Sequence, residues 1–114
     1  MAKIKMFALG GLNETGKNMY VIEVNQDIFV FDAGLKYADD RMLGIDYIIP
    51  NYDYLVENKK RIKGIFLSHG HDEQIGAIPD MKEDLKGVKI YGTKFTLDML
   101  KEALMAEKVI VYGN

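Results

Sequence analysis

Apolar and polar positions change their period several times along the chain, and each change marks an element. Lys3 to Leu9 opens by alternating charged and apolar residues, as a half-buried strand does. Met19 to Val24 and Ile28 to Phe31 are rich in β-formers, and the polar Asn25-Gln26-Asp27 lies between them. Two strands joined by a short turn predict an antiparallel hairpin. Asp32-Ala33-Gly34 closes it, and Leu35 to Pro50 has no regular period, which predicts a long irregular loop over a neighbour or a site. Asn51 is placed to cap a short helix running to Asn58. Ile62 to Ser68 is mostly apolar, as expected of a strand buried on both faces. A helical turn limited by Pro79 comes later, then a strand from Val88 to Tyr91. Thr93 caps the strongest helix, whose Leu97, Leu100 and Leu104 share one face with Met99 beside them. These side chains are expected in the core. Lys108 to Tyr112 reads as a last strand with no partner after it, as in a fold cut short.

Strands interleaved with helices predict an α/β (α+β) fold with a mixed sheet. The 114 residues are enough for one domain or part of one, and 48% apolar with 28% charged content is ordinary globular usage. No apolar run approaches the roughly 20 residues needed to cross a bilayer, so no membrane association is expected. With no cysteine, a metal would have to be held by His and carboxylates, and a cytoplasmic setting fits. A net charge of −2 lacks the basic balance of a self-sufficient nucleic-acid binder. The one basic cluster, Lys59-Lys60-Arg61 with Lys63, follows a predicted helix, where the helix dipole and solubility account for it.

Gly11-Leu12-Asn13-Glu14-Thr15-Gly16-Lys17-Asn18 nearly matches a phosphate-binding loop. Asn18 lacks the hydroxyl for magnesium, Glu14 puts negative charge in the cradle, and a strand pattern rather than a helix follows. No nucleotide cofactor is therefore expected. Gly11, Glu14, Gly16, Lys17 and Asn18 are instead expected to border a site built elsewhere.

That site is expected at Ser68-His69-Gly70-His71-Asp72-Glu73-Gln74, which holds both histidines of the chain. Residues i and i+2 of an extended segment point to one side, so His69 and His71 can offer two imidazoles to one ion, with zinc a natural occupant. Asp72 and Glu73 stand where a helix begins and also suit capping. Asp32, at another strand end, is a candidate to hold a histidine tautomer or a plain turn residue.

Leu67-Ser68-His69-Gly70-His71 followed by carboxylates and Ile75-Gly76-Ala77-Ile78-Pro79 resembles the H-x-H-x-D-H signature of the metallo-β-lactamase fold. Ala8 to Leu12 with Glu14 and Gly16 to Met19 is similar to the N-terminal loop of the bacterial ribonuclease J family, as are Phe31 to Gly34, Met42 to Asp46 with Ile49-Pro50, and Tyr91 to Thr93. The resemblance implies that residues 1–114 are the N-terminal portion of an αββα sandwich, the rest of which, a β-CASP domain and a C-terminal domain being absent. It implies a metal-dependent RNA-processing nuclease of the bacterial cytoplasm that uses two metals. Two departures stand out. Glu73 falls on the family's aspartate and Gln74 on its final histidine, a neutral amide in place of imidazole. One ion at most, zinc or manganese, is then expected, with Glu73 a weak ligand and Gln74 a degenerate one. This pattern resembles the second, catalytically degenerate paralogue, which works with an active one on RNA. No catalysis is expected from these residues alone. An active hydrolase using Glu73, or one acting on a small ester, thioester or lactam, is the alternative. An open apolar face is also expected, and with it homo- or hetero-association.

Overall fold

The computed structural model describes residues 3–12, 16–37, 47–68, 75–103 and 111–113. Its first three strands are β1 (Ile4–Gly10), β2 (Met19–Val24) and β3 (Asp27–Phe31), paired antiparallel in chain order. The β2–β3 turn is tighter than the predicted three residues, because Val24 already pairs with Asp27. Asn25 takes φ 56°, a left-handed conformation that Asn tolerates. It accepts from the Lys3 amide through Oδ1 at 3.0 Å and donates its own amide to the Lys3 carbonyl.

The Leu35–Pro50 stretch is not wholly irregular. Lys36–Tyr37 (β4) and Tyr47–Ile48 (β5) pair as a small antiparallel sheet. Two residues per strand are too few for periodicity to register. Helix α1 (Asp53–Glu57) has its N-cap at Tyr52, one residue past the expected Asn51, yet Asn51 Oδ1 still accepts from the Asp53 amide at 3.0 Å.

A 3-10 turn at Lys59–Arg61 leads into β6 (Ile62–Phe66). Strand β6 lies parallel between β3 and β7 (Ile90–Gly92), and β8 (Val111–Gly113) adds parallel to β7. The described sheet is therefore mixed, in the order β1-β2-β3-β6-β7-β8. Pro79 does not end a helix. It sits in the first turn of α2 (Ile78–Met81), where a missing amide costs nothing because no carbonyl awaits it. Helix α3 spans Lys94–Ala103, and the Thr93 hydroxyl accepts from the Thr96 amide at 3.3 Å.

Strand alternation sorts the side chains into two faces. Met19, Val21, Ile28, Val30, Ile65 and Ile90 are buried with Leu55, Ile78, Met81, Leu97 and Leu100 from the helices. Met99 is 38% exposed, so it flanks this core without joining it, and Leu104 lies outside the described residues. The opposite face carries Phe29, Phe31, Phe66 and Tyr91, with Phe66 and Tyr91 stacked at 4.8 Å. Gly64 makes room for that stack: a Cβ there would stand 2.5 Å from the Tyr91 ring. Further along, Met6, Leu12, Tyr20 and Phe31 line an open apolar hollow, Met6 being 74% exposed.

Candidate functional site

The histidine stretch follows the C-terminal end of β6, and β3 ends beside it. Parallel pairing of Phe31 with Phe66 brings Asp32, one residue on, and Ser68, two residues on, to the same edge of the sheet. Asp32 takes φ 66°, and its amide donates to the Phe66 carbonyl at 2.8 Å. The turned backbone aims its carboxylate across the strand ends. There Oδ1 accepts from the Ser68 amide at 2.7 Å, and the Ser68 hydroxyl lies 3.0 and 2.9 Å from the two oxygens. Hydrogen bonds to a carboxylate are roughly twice as strong as neutral ones. Asp32 thus pins the backbone at the residue before His69.

The segment after Asp32 ties three pieces together. Ala33 accepts at its carbonyl from the Ala77 amide at 2.8 Å, which fastens the far side of the histidine stretch. The Gly34 amide donates to the Asn18 carbonyl, and the Lys17 amide donates to the Leu35 carbonyl, both at 2.9 Å. Gly11 and Gly16 have φ 89° and 87°. Gly10 permits the closest approach, since a Cβ there would stand 2.2 Å from the Lys17 carbonyl oxygen. The glycine loop leads into strand β2, as its pattern predicts, and not into the helix that a phosphate cradle requires.

Two tyrosines tie the segment before α1 to α2 and the residues after it. Tyr47 donates to the Asp80 carboxylate at 2.8–3.0 Å, and Tyr52 donates to Asp84 at 2.6 Å. The bond to Asp84, then burial, pushes the Tyr52 phenol up to about 12.

At the far end of the sheet a second buried carboxylate, Glu23, meets the Tyr54 hydroxyl at 2.5 Å and the Arg61 guanidinium. The Tyr54 hydrogen bond is the main force holding the Glu23 carboxyl below its usual range. Burial opposes it and Arg61 assists. Arg61 also donates to the Asn58 side chain and the Gln26 carbonyl, each at 2.9 Å. Its role in the basic cluster is thus to join the α1 segment to the sheet, which corrects the expectation of a dipole and solubility role. Sequence reasoning missed this group. The signal was available, because Glu23 shares the buried parity of Met19 and Val21.

His69, His71, Glu73, Gln74 and Glu14 lie outside the described residues. Among the described residues, no group of three or more His, Cys, Asp or Glu side chains could hold an ion. Asp32 is engaged by Ser68. The donor set in the sequence suits one divalent ion through two imidazoles. It does not suit a second ion, for which Glu73 and the neutral Gln74 amide are the nearest donors.

Comparison with known proteins bears on the same residues. The model of the Metallo-beta-lactamase superfamily matches residues 12–110. The chain is 52% identical over 111 residues to Ribonuclease J2 of Bacillus subtilis, and 48% over 101 residues to Ribonuclease J 2 of Streptococcus pyogenes. These alignments cover 97% and 89% of this chain but 19% and 18% of the relatives, so it spans about a fifth of their length. Among solved structures, a diphosphatase from the PhnP family superposes with TM-score 0.59 at 16% identity, over 98% of this chain and 50% of that one. Human tRNase Z, short form, gives 0.55 at 14%, over 97% and 44%. Identities this low speak to fold alone.

Proposed function

The chain belongs to the metallo-β-lactamase superfamily, and from that premise we propose that it is the N-terminal portion of a ribonuclease J-type protein of RNA processing and decay. The observation that carries this reading is the 45–52% identity to ribonuclease J 2 proteins over nearly the whole chain. That similarity does not favour a small ester, thioester or lactam as substrate.

In this reading His69 and His71 hold one ion, zinc or manganese, and Glu73 contributes weakly. Such an ion, when bound, polarises a phosphoryl oxygen and acidifies bound water. Asp32 keeps the Ser68 backbone fixed at the residue before His69. The loop carrying Gly11, Glu14, Gly16, Lys17 and Asn18 borders the site, because its end is bonded to Gly34 and Leu35. Gln74 leaves the second ion without an imidazole. The full-length cytoplasmic protein then acts on RNA chiefly in complex with an active paralogue.

Restoring the missing donors tests the proposal. The full-length Glu73→Asp, Gln74→His double variant is expected to gain single-strand ribonuclease activity by at least about 10-fold, the lower end of what supporting residues at metal sites contribute. No gain, with metal bound, contradicts an eroded second site.

A further inference from the structure

A groove on the opposite edge of the sheet has no part in the site just described. The 3-10 turn before β6 and the turn before β7 lead into adjacent parallel strands, so both lie where those strands begin. Lys59, Lys60 and Lys63 come from the first, Lys86 and Lys89 from the second, with Ile62, Gly87 and Val88 between them. The groove encloses about 510 Å³. Five of the chain's 15 basic residues thus converge on one groove of a protein whose net charge is −2. Lys63 lies 3.6 Å from Asp27. Arg61 does not contribute, being committed to Glu23.

The sequence places only the first three lysines together. The parallel β6–β7 pairing adds the other two, and this turns a solvated run into a concave cationic surface. Like charges gathered in this way repel, and a polyanion relieves them by displacing their counterions. We propose that this groove binds the phosphate backbone of single-stranded RNA, as a docking surface separate from the histidine stretch. The choice of RNA over an acidic polypeptide rests on the ribonuclease J reading. Among the described residues no aromatic side chain lines the groove, so the contact is expected to be indifferent to sequence. From Ile62 to Ser68 the chain advances roughly 20 Å at the rise of a strand. Only an RNA long enough to reach both regions engages both.

The test is the full-length protein carrying Lys59→Gln, Lys60→Gln and Lys86→Gln, read by fluorescence anisotropy with labelled oligouridylate and oligoadenylate. Three lost phosphate contacts reduce the salt slope by about 2 for a single strand, and weaken binding about 10-fold or more at low salt, equally for the two RNAs. Thermal unfolding is expected to match wild type, since surface changes rarely move stability. Unchanged RNA affinity and slope in the variant, while wild type binds RNA, overturns the groove alone. The same result with lost binding of polyglutamate assigns the groove to an acidic partner and also overturns it. A wild-type protein that binds neither RNA overturns the RNA reading itself, and this proposal with it.

Discussion

Asp32 and Glu23 are both buried carboxylates, one just past β3 and the other within the neighbouring β2, yet they lie toward opposite ends and keep different company. Asp32 accepts only from the amide and hydroxyl of Ser68 among its described partners. Glu23 meets a phenol and a guanidinium. Neutral donors from Ser68 fix the backbone at the strand end that precedes the histidine stretch in sequence. A cation cancels the charge, and that arrangement suits a weld between helix and sheet. The first carboxylate ties two strand ends together, and the second joins helix to sheet.

Substitution separates these roles. Asp32→Ala is expected to have the largest effect, lowering the metal affinity of the full-length protein by about 10–100-fold, as loss of a supporting partner does. Asp32→Asn keeps an acceptor and tolerates the left-handed backbone, so it should recover most of that loss. Calorimetric metal titration distinguishes them, and equal losses would break the comparison. Tyr54→Phe at the other end should leave metal affinity unchanged and cost about 1–3 kcal/mol of stability in urea unfolding, because a buried acceptor loses a donor.

The smallest expected effect is in pH. The Glu23 carboxyl is held below its ordinary value of 4.5 in the fold, chiefly by Tyr54. Its stabilising contribution is therefore fully present above the unfolded value, and is lost as pH falls below about 4.5 through the lower folded value. Urea unfolding of Glu23→Gln should show less acid sensitivity in that window than wild type. An identical pH slope would place the acid sensitivity elsewhere.

How far the chain's pattern foretold these features follows from the range of the interactions. Strands β1 to β3 and the Thr93-capped helix were legible because periodicity and caps are local. The β4–β5 pair was not, since two-residue strands have no period. Pro79 read as a stop because its helix-starting use depends on what precedes it. The turn at Asp32 was legible from its strand end, but its partner Ser68 was not. That pairing needs β3 and β6 side by side, 36 residues apart in sequence. The union of Lys59, Lys60 and Lys63 with Lys86 and Lys89 stayed hidden for the same reason.

The proposed site keeps imidazoles for one ion, His69 and His71, and lacks the histidine of a second. Elemental analysis of the purified full-length protein, after dialysis against zinc or manganese, measures this directly. One tightly held ion per chain is the predicted result. Two stoichiometric ions would contradict it.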